Sequence, residues 1–255
     1  MKLKVITGIN AIVLCLVLIA CNLARGQQFN SDNYLSKPCG TSTIILTYGI
    51  RSDILMTTFS LFPKWEFTYA AYIYNNDNDP KTDDGYSTSF YFKWMLYENA
   101  AQTGGIAVKL GTGLDPGLQN DSVNLQNQFK TYWVNAPLTL PFFKNKLSWD
   151  IMPGAIYNTN YGTESKPAWG FTYSSRLAYY PYGPKWSVVG EVFGSAGKAY
   201  AAPEYKVGLR WEPNQYAVFA ITYGEEFTGA EGAKFEIGIM LFTPPFCCLV
   251  KSHKK

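Results

Sequence analysis

From Lys130 to Leu140 the chain keeps a strict period of two. Tyr132, Val134, Ala136, Leu138 and Leu140 fall on one side, and Thr131, Trp133, Asn135, Pro137 and Thr139 on the other. After the polar break Lys144-Asn145-Lys146 the pattern resumes, with Leu147, Trp149, Ile151, Ala155 and Tyr157 alternating with Ser148, Asp150, Met152 and Gly154. A period of two is a strand, and two such runs around a tight turn are an antiparallel hairpin. Each run extends for about 10 to 12 residues, long for a strand in water and suited to a tilted strand crossing a bilayer. One side carries aromatic and aliphatic groups, the other small, polar and charged ones. Such a wall separates hydrocarbon from a polar lumen.

The same plan repeats along the chain. Alternating runs occupy 41–49, 54–61, 65–74, 86–97, 105–112, 129–140, 146–157, 168–180, 185–193, 203–211, 216–223 and 233–242. Their links alternate between long and short: the polar stretch 75–85, the link ending Thr103-Gly104, then 113–128, the Lys144 turn, 158–167, Tyr182-Gly183-Pro184, 194–202, Glu212-Pro213-Asn214 and 224–232. A soluble sandwich has no reason to keep that rhythm, because both of its ends meet the same solvent. A transmembrane meander does, with long outer loops and short periplasmic turns. The fold class that follows is all-β: a closed, antiparallel, up-and-down transmembrane β-barrel of about twelve strands. An even count with the first link outside puts both termini in the periplasm.

Composition agrees. Charged residues make up only 16% of the 255-residue chain, yet the mean hydropathy is -0.10, too polar for a bundle of membrane helices. Aromatics reach 16%, led by 19 Tyr, with apolar residues dispersed by alternation. A net charge of +3 is too small to indicate nucleic acid. At the N-terminus Lys2 and Lys4 precede the apolar run 11–20, the pattern of a secretory signal peptide. Its end has two readings: cleavage after Gly26, or a lipobox ending in Cys21, which would then be lipidated. The division expected is a signal peptide over 1–26, a periplasmic segment over 27–40, the barrel over 41–246 and a basic tail over 247–255. Outside the signal stand Cys39, Cys247 and Cys248. Barrel closure would bring the two ends together, so a bridge from Cys39 to Cys247 or Cys248 is open, as is a set of free thiols. Spacing and histidine support for zinc are missing.

The strands 169–180 and 205–211, the signal-like start and Gln27 resemble bacterial outer-membrane β-barrel proteins, in particular transporter-like barrels of Bacteroidota. That resemblance implies an outer-membrane location, lipid and lipopolysaccharide around the wall, and insertion by the barrel assembly machinery. One departure stands out: such barrels end on an aromatic residue, whereas here Phe242 and Phe246 are followed by a tail to Lys255.

Parity also names an inward set: Glu66, Tyr72, Lys93, Lys109, Asp150, Arg176, Glu191, Glu204, Lys206, Arg210, Lys234 and Glu236. A Lys or Arg facing hydrocarbon at the midplane costs about 2–4 kcal/mol, and each of these falls on the polar side of its strand. The signs nearly balance, which leaves two readings. In one the charges pair and plug the lumen. In the other they line a narrow aqueous path, with Arg176, Lys206 and Arg210 a candidate site for an anion. Tyr72, Tyr91 and Tyr180 would narrow that path or stack on a ring. The tryptophans on the outer face fit an interfacial belt. The Asp77-rich loop lacks calcium-loop spacing, and Gly111-x-Gly113 reads as a turn at a strand end. The single histidine, His253, lies in the tail, where no Ser/His or Asp/His catalyst could use it. The expectation is a non-enzyme without a cofactor or metal: a narrow channel for a small solute, or a closed barrel acting through its outer loops.

Overall fold

The computed structural model describes residues 31–74, 85–113, 131–161, 166–198, 201–228 and 232–246. These form β1 (Thr41–Gly49), β2 (Ser52–Phe62), β3 (Trp65–Tyr74), β4 (Gly85–Glu98), β5 (Gly105–Gly113), β6 (Thr131–Asn135) and β7 (Leu138–Phe142). The second half supplies β8 (Leu147–Ile151), β9 (Gly154–Tyr161), β10 (Lys166–Tyr179), β11 (Trp186–Gly197), β12 (Ala201–Asn214), β13 (Ala217–Glu226) and β14 (Lys234–Phe242). All neighbours pair antiparallel. β1 pairs with β14 from Thr43 opposite Phe242 to Gly49 opposite Glu236, so the sheet closes on itself. Closure leaves no edge whose backbone groups would lack partners in hydrocarbon.

The fourteen segments make a wall of twelve strands. Two strands are interrupted, one at Ala136-Pro137 between β6 and β7 and one at Met152-Pro153 between β8 and β9. The halves share neighbours: β5 pairs with both β6 and β7, and β10 with both β8 and β9. Proline has no amide hydrogen for the ladder, so a strand is readily interrupted where one falls. Substitute bonds carry the wall across. Ala107 N–H donates to the Pro137 carbonyl (2.8 Å), Ala136 N–H to the Pro153 carbonyl (2.9 Å), and Met152 and Ser174 exchange bonds of 2.9 and 3.1 Å.

One end of the barrel carries tight turns, with left-handed backbone at Lys64 (φ 68°), Asn145 (φ 66°) and Gly183 (φ 96°). At the other end the β1–β2 link is only Ile50-Arg51, a departure from the long–short rhythm at its first step. The stretch 75–84, Glu231, Cys21, Cys247, Cys248 and the tail lie outside the described residues. Cys39 is disulfide-bonded, and the Phe246 amide donates to the Gly40 carbonyl beside it at 2.8 Å.

The outer face of the described strands is largely apolar. Phe92, Leu110, Phe171, Val188, Leu209, Ile221 and Ile237 are all exposed, on the side opposite the charges. In water that surface would be untenable; in lipid it is the burying face. Aromatic pairs ring both ends. Trp65 stacks on Trp94 (5.0 Å between centroids) and Trp186 on Trp211 (5.6 Å) near the tight turns. Tyr157 meets Trp169 (4.4 Å) and Tyr223 meets Phe235 (5.3 Å) near the opposite rim.

The segment 27–40 is a lead-in by sequence, but its described part turns into the bore. Gly40 N–H donates to the Ser60 carbonyl (2.6 Å) and the Ser36 hydroxyl to the Lys64 carbonyl (3.1 Å) at the tight-turn end. Tyr34 is buried against Met95 and Ala107, and its hydroxyl donates to Glu98 at 3.2 Å. Gly105 makes room for it: a Cβ there would lie 2.5 Å from the Tyr34 ring. Burial and Glu98 push the Tyr34 hydroxyl up to about 12.

Candidate functional site in the barrel lumen

Ladder register lines the inward charges up as a belt. On one arc Glu66 lies opposite Lys93, Lys93 opposite Lys109, and Lys109 opposite Asn135. On another arc Asp150 lies opposite Arg176, Arg176 opposite Glu191, and Glu191 opposite Lys206. Opposite charges directly across a ladder stabilise it and like charges destabilise it. The second arc alternates perfectly in sign. The first has a fault, two lysines face to face.

The N-terminal segment fills that fault. Asp32 Oδ1 lies 3.2 Å from Lys93 Nζ, and Oδ2 lies 3.5 Å from Lys109 Nζ. Burial pushes the Asp32 carboxyl up, but Lys93 and Lys109 together outweigh it and hold it well below the usual carboxylate range. Lys93 also contacts Glu66 (2.7 Å) and donates to the Leu35 carbonyl (2.8 Å). Lys109 Nζ sits 4.0 Å over the Tyr91 ring. Across the lumen, Glu191 accepts the Ser31 amide, and Arg176 Nη1 donates to the Ser31 carbonyl at 2.8 Å.

Apart from Glu204, the remaining inward charges pair within the wall. Arg176 donates twice to Asp150 Oδ2 (Nε 3.0 Å, Nη2 2.7 Å), and Asp150 also accepts the Thr139 hydroxyl at 2.6 Å. Lys206 meets Glu236 at 2.7 Å, and Glu236 accepts the Thr222 hydroxyl at 3.0 Å. Arg210 pairs with Glu212 (3.1 Å), which also accepts the Tyr180 hydroxyl (3.1 Å). Lys234 pairs with Glu225 at 2.5 Å, and Glu204 lies opposite Glu226 on the ladder. Arg176, Lys206 and Arg210, grouped by sequence as one anion site, thus bind three different carboxylates.

A cavity of about 400 Å³ opens beside the belt. Its charged lining is Lys37, Lys93, Lys109, Arg176 and Arg210 against Asp32 and Glu66, an excess of cations. Lys206 does not reach it. Burial lowers the Lys37 amine, whose Nζ lies 4.0 Å from the Phe242 ring centroid. Tyr72, Tyr91 and Trp133 form an aromatic side. Trp133 therefore faces the lumen, as its own alternation required, and not the lipid belt. Gly111 is what admits it: a Cβ there would lie 2.3 Å from the indole. The Gly111-x-Gly113 pair is not a turn but the inner face of β5, with Gly111 opposite both Tyr91 and Trp133. Sequence reasoning missed Asp32 and Lys37, which lie in no alternating run. The only signal for them was the unmatched lysine pair, visible once register is known.

A closed meander with an apolar outer wall, two aromatic girdles and a charged bore defines the transmembrane β-barrel class. Within it the chain shares the fold of bacterial outer-membrane channels and porins. An outer membrane channel from Pseudomonas putida F1 matches with a TM-score of 0.54 at 12% identity, covering 84% of this chain and 98% of that one. The KdgM porin matches with a TM-score of 0.51 at 11% identity, covering 79% of this chain and 98% of its own. The NanC porin gives 0.51 at 8% identity, over 79% and 97% of the two chains. No protein-family model and no curated protein matches the sequence. At these identities the likeness is one of fold.

Proposed function

We propose that this protein resides in a bacterial outer membrane, both termini periplasmic, and passes a small solute through its bore, with the cationic cavity as the narrow, selecting part. The observation that carries this is the lining itself: five basic side chains against two acidic ones, with four aromatics, in about 400 Å³. Asp150 and Glu212 answer Arg176 and Arg210 from outside the lining, so the surplus at the cavity itself lies with Lys37, Lys93 and Lys109 against Asp32 and Glu66. The family reading goes with it: a transporter-like barrel of the Bacteroidota kind, set in lipid and lipopolysaccharide by the assembly machinery, and not an enzyme. Support for that comes from the signal-like N-terminus and the strand pattern.

The test is single-channel conductance of refolded protein in a planar bilayer. Discrete steps with anion preference, reduced when Lys109 and Arg210 are changed to Gln, are the expected result. A second reading has its own observation, the N-terminal segment lodged in the bore. Insertion without conductance would favour it, making the barrel a closed one that acts through its outer loops.

A further inference from the structure

We propose that the Asp32 carboxylate occupies a solute site: the Lys93–Lys109 fault is a receptor for a monocarboxylate carrying a flat ring, and such a solute competes with the N-terminal strap for it. The proposal deepens the reading of the bore as a solute path and rests on it. Three independent observations lead here.

First, the fault is a place where two cations face each other on the ladder, and only an anion between them resolves it. The wall supplies Glu66 to Lys93 alone, at 2.7 Å; what reaches Lys109 is Asp32, at 3.5 Å, from outside the wall. A barrel needing only internal balance could have placed an acid at either lysine. Second, Asn135 stands next to Lys109 on the ladder, is buried, lines the cavity, and its Oδ1 has no hydrogen-bond partner among the described residues. Buried polar groups are normally satisfied, so this acceptor marks a place for a donor on the bound solute, a hydroxyl or N–H on its ring rather than the carboxylate itself. Third, the cavity beside the fault is walled by Trp133 and Tyr91, whose centroids lie 6.4 Å apart at 59°. Gly111 lets the indole lie close against β5, and Trp133 lines the cavity. Small-ligand pockets run from about 300 to 1,000 Å³, so the volume suits one ring with its carboxylate.

The strap is held as a competitor must be, firmly but by replaceable bonds. Its anchors are Tyr34 against Met95 and Ala107, Ser31 on Glu191 and Arg176, and Asp32 in the fault. Asp32 Oδ1 also accepts the Asn33 amide at 2.9 Å, so the carboxylate is pre-shaped within its own turn. A solute carboxylate would take over both lysines and release that turn.

The experiment is calorimetric titration of refolded, detergent-held protein with benzoate, using neutral benzamide as control. Asp32→Ala should raise benzoate affinity at least tenfold over the unaltered protein. Asp32→Asn, which keeps the side chain's shape, should give a smaller rise in the same direction. Lys109→Gln in either background should remove binding, and benzamide should not bind. In the unaltered protein, amides of residues 31–37 should exchange hydrogen faster with benzoate than with benzamide. Equal benzoate affinity with and without Asp32, or equal binding of benzamide, would overturn the proposal, as would strap exchange indifferent to benzoate. Binding does not depend on conduction: benzoate bound by a non-conducting barrel sinks the channel reading and leaves the site, whereas conduction without benzoate binding does the reverse.

Discussion

Replacing Lys206 by Met is the sharpest probe of how the belt holds the barrel. Lys206 Nζ lies 2.7 Å from Glu236 Oε2, and the side chains are only 2% and 3% exposed. At an effective dielectric of about 20 the gross attraction at that distance is about 6 kcal/mol, most of it offset by desolvation of the two ions. The net value of the pair is therefore small, but the cost of breaking it is not. Lys206→Met leaves Glu236 buried with the Thr222 hydroxyl as its remaining partner, an uncompensated charge that costs about 3–5 kcal/mol. That corresponds to about two to four decades in the folding equilibrium. Lys206→Met/Glu236→Leu removes both charges and should recover most of the loss, since well-packed apolar replacements of buried pairs are about neutral or stabilising. The assay is guanidinium unfolding of the barrel in lipid vesicles, followed by tryptophan fluorescence and gel migration. A single variant within about 1 kcal/mol of the parent, or a double variant as unstable as the single one, would refute the reasoning.

Three further outcomes are expected. Gly111→Val puts carbon where the Trp133 indole lies, at 2.3 Å for the first atom, and should cost about 1–3 kcal/mol while changing tryptophan emission; an unchanged spectrum would mean that Trp133 does not rest there. Asp32 is depressed in the folded chain, so its contribution is fully present above the ordinary carboxylate value of about 3.9 and is lost only as pH falls further through the depressed value. Amides 31–37 should accordingly stay protected at pH 5, and loss of protection between pH 7 and 5 would contradict the Lys93–Lys109 contact. Non-reducing peptide mapping should find Cys39 joined to Cys247 or Cys248, given its bonded state and the Phe246–Gly40 contact; a free Cys39 thiol would refute the link.

The wall was readable because hydrocarbon imposes one rule on every residue of a spanning strand. A side chain such as Phe171 or Leu209 must be apolar, and its neighbour may be anything the lumen accepts. That rule also told Lys93 from Trp94. What alternation cannot carry is register, because a slip by two residues preserves every face. The sequence names Asp150, Arg176, Glu191 and Lys206 as inward, but not as one row. The lysine fault is likewise invisible until β4 and β5 are aligned. Pro137 and Pro153 escaped because each sits in a run whose period survives the break. Gly111 was misread because a glycine that makes room for an indole looks, in one dimension, like a glycine that turns a chain. The strap obeys no period at all, and its placement is tertiary throughout.

The strap also has a mechanical consequence. Ser31 is fastened to β10 and β11, while Asp32 and Tyr34 are fastened to β4 and β5, so a few residues tie two stretches of wall separated by β6 to β9. Those intervening strands are the ones interrupted at Pro137 and Pro153, where substitute bonds replace the regular ladder. The segment is thus a tie-rod across the interrupted arc of the tube. Whatever loosens it would change the shape of the cross-section as well as empty the bore.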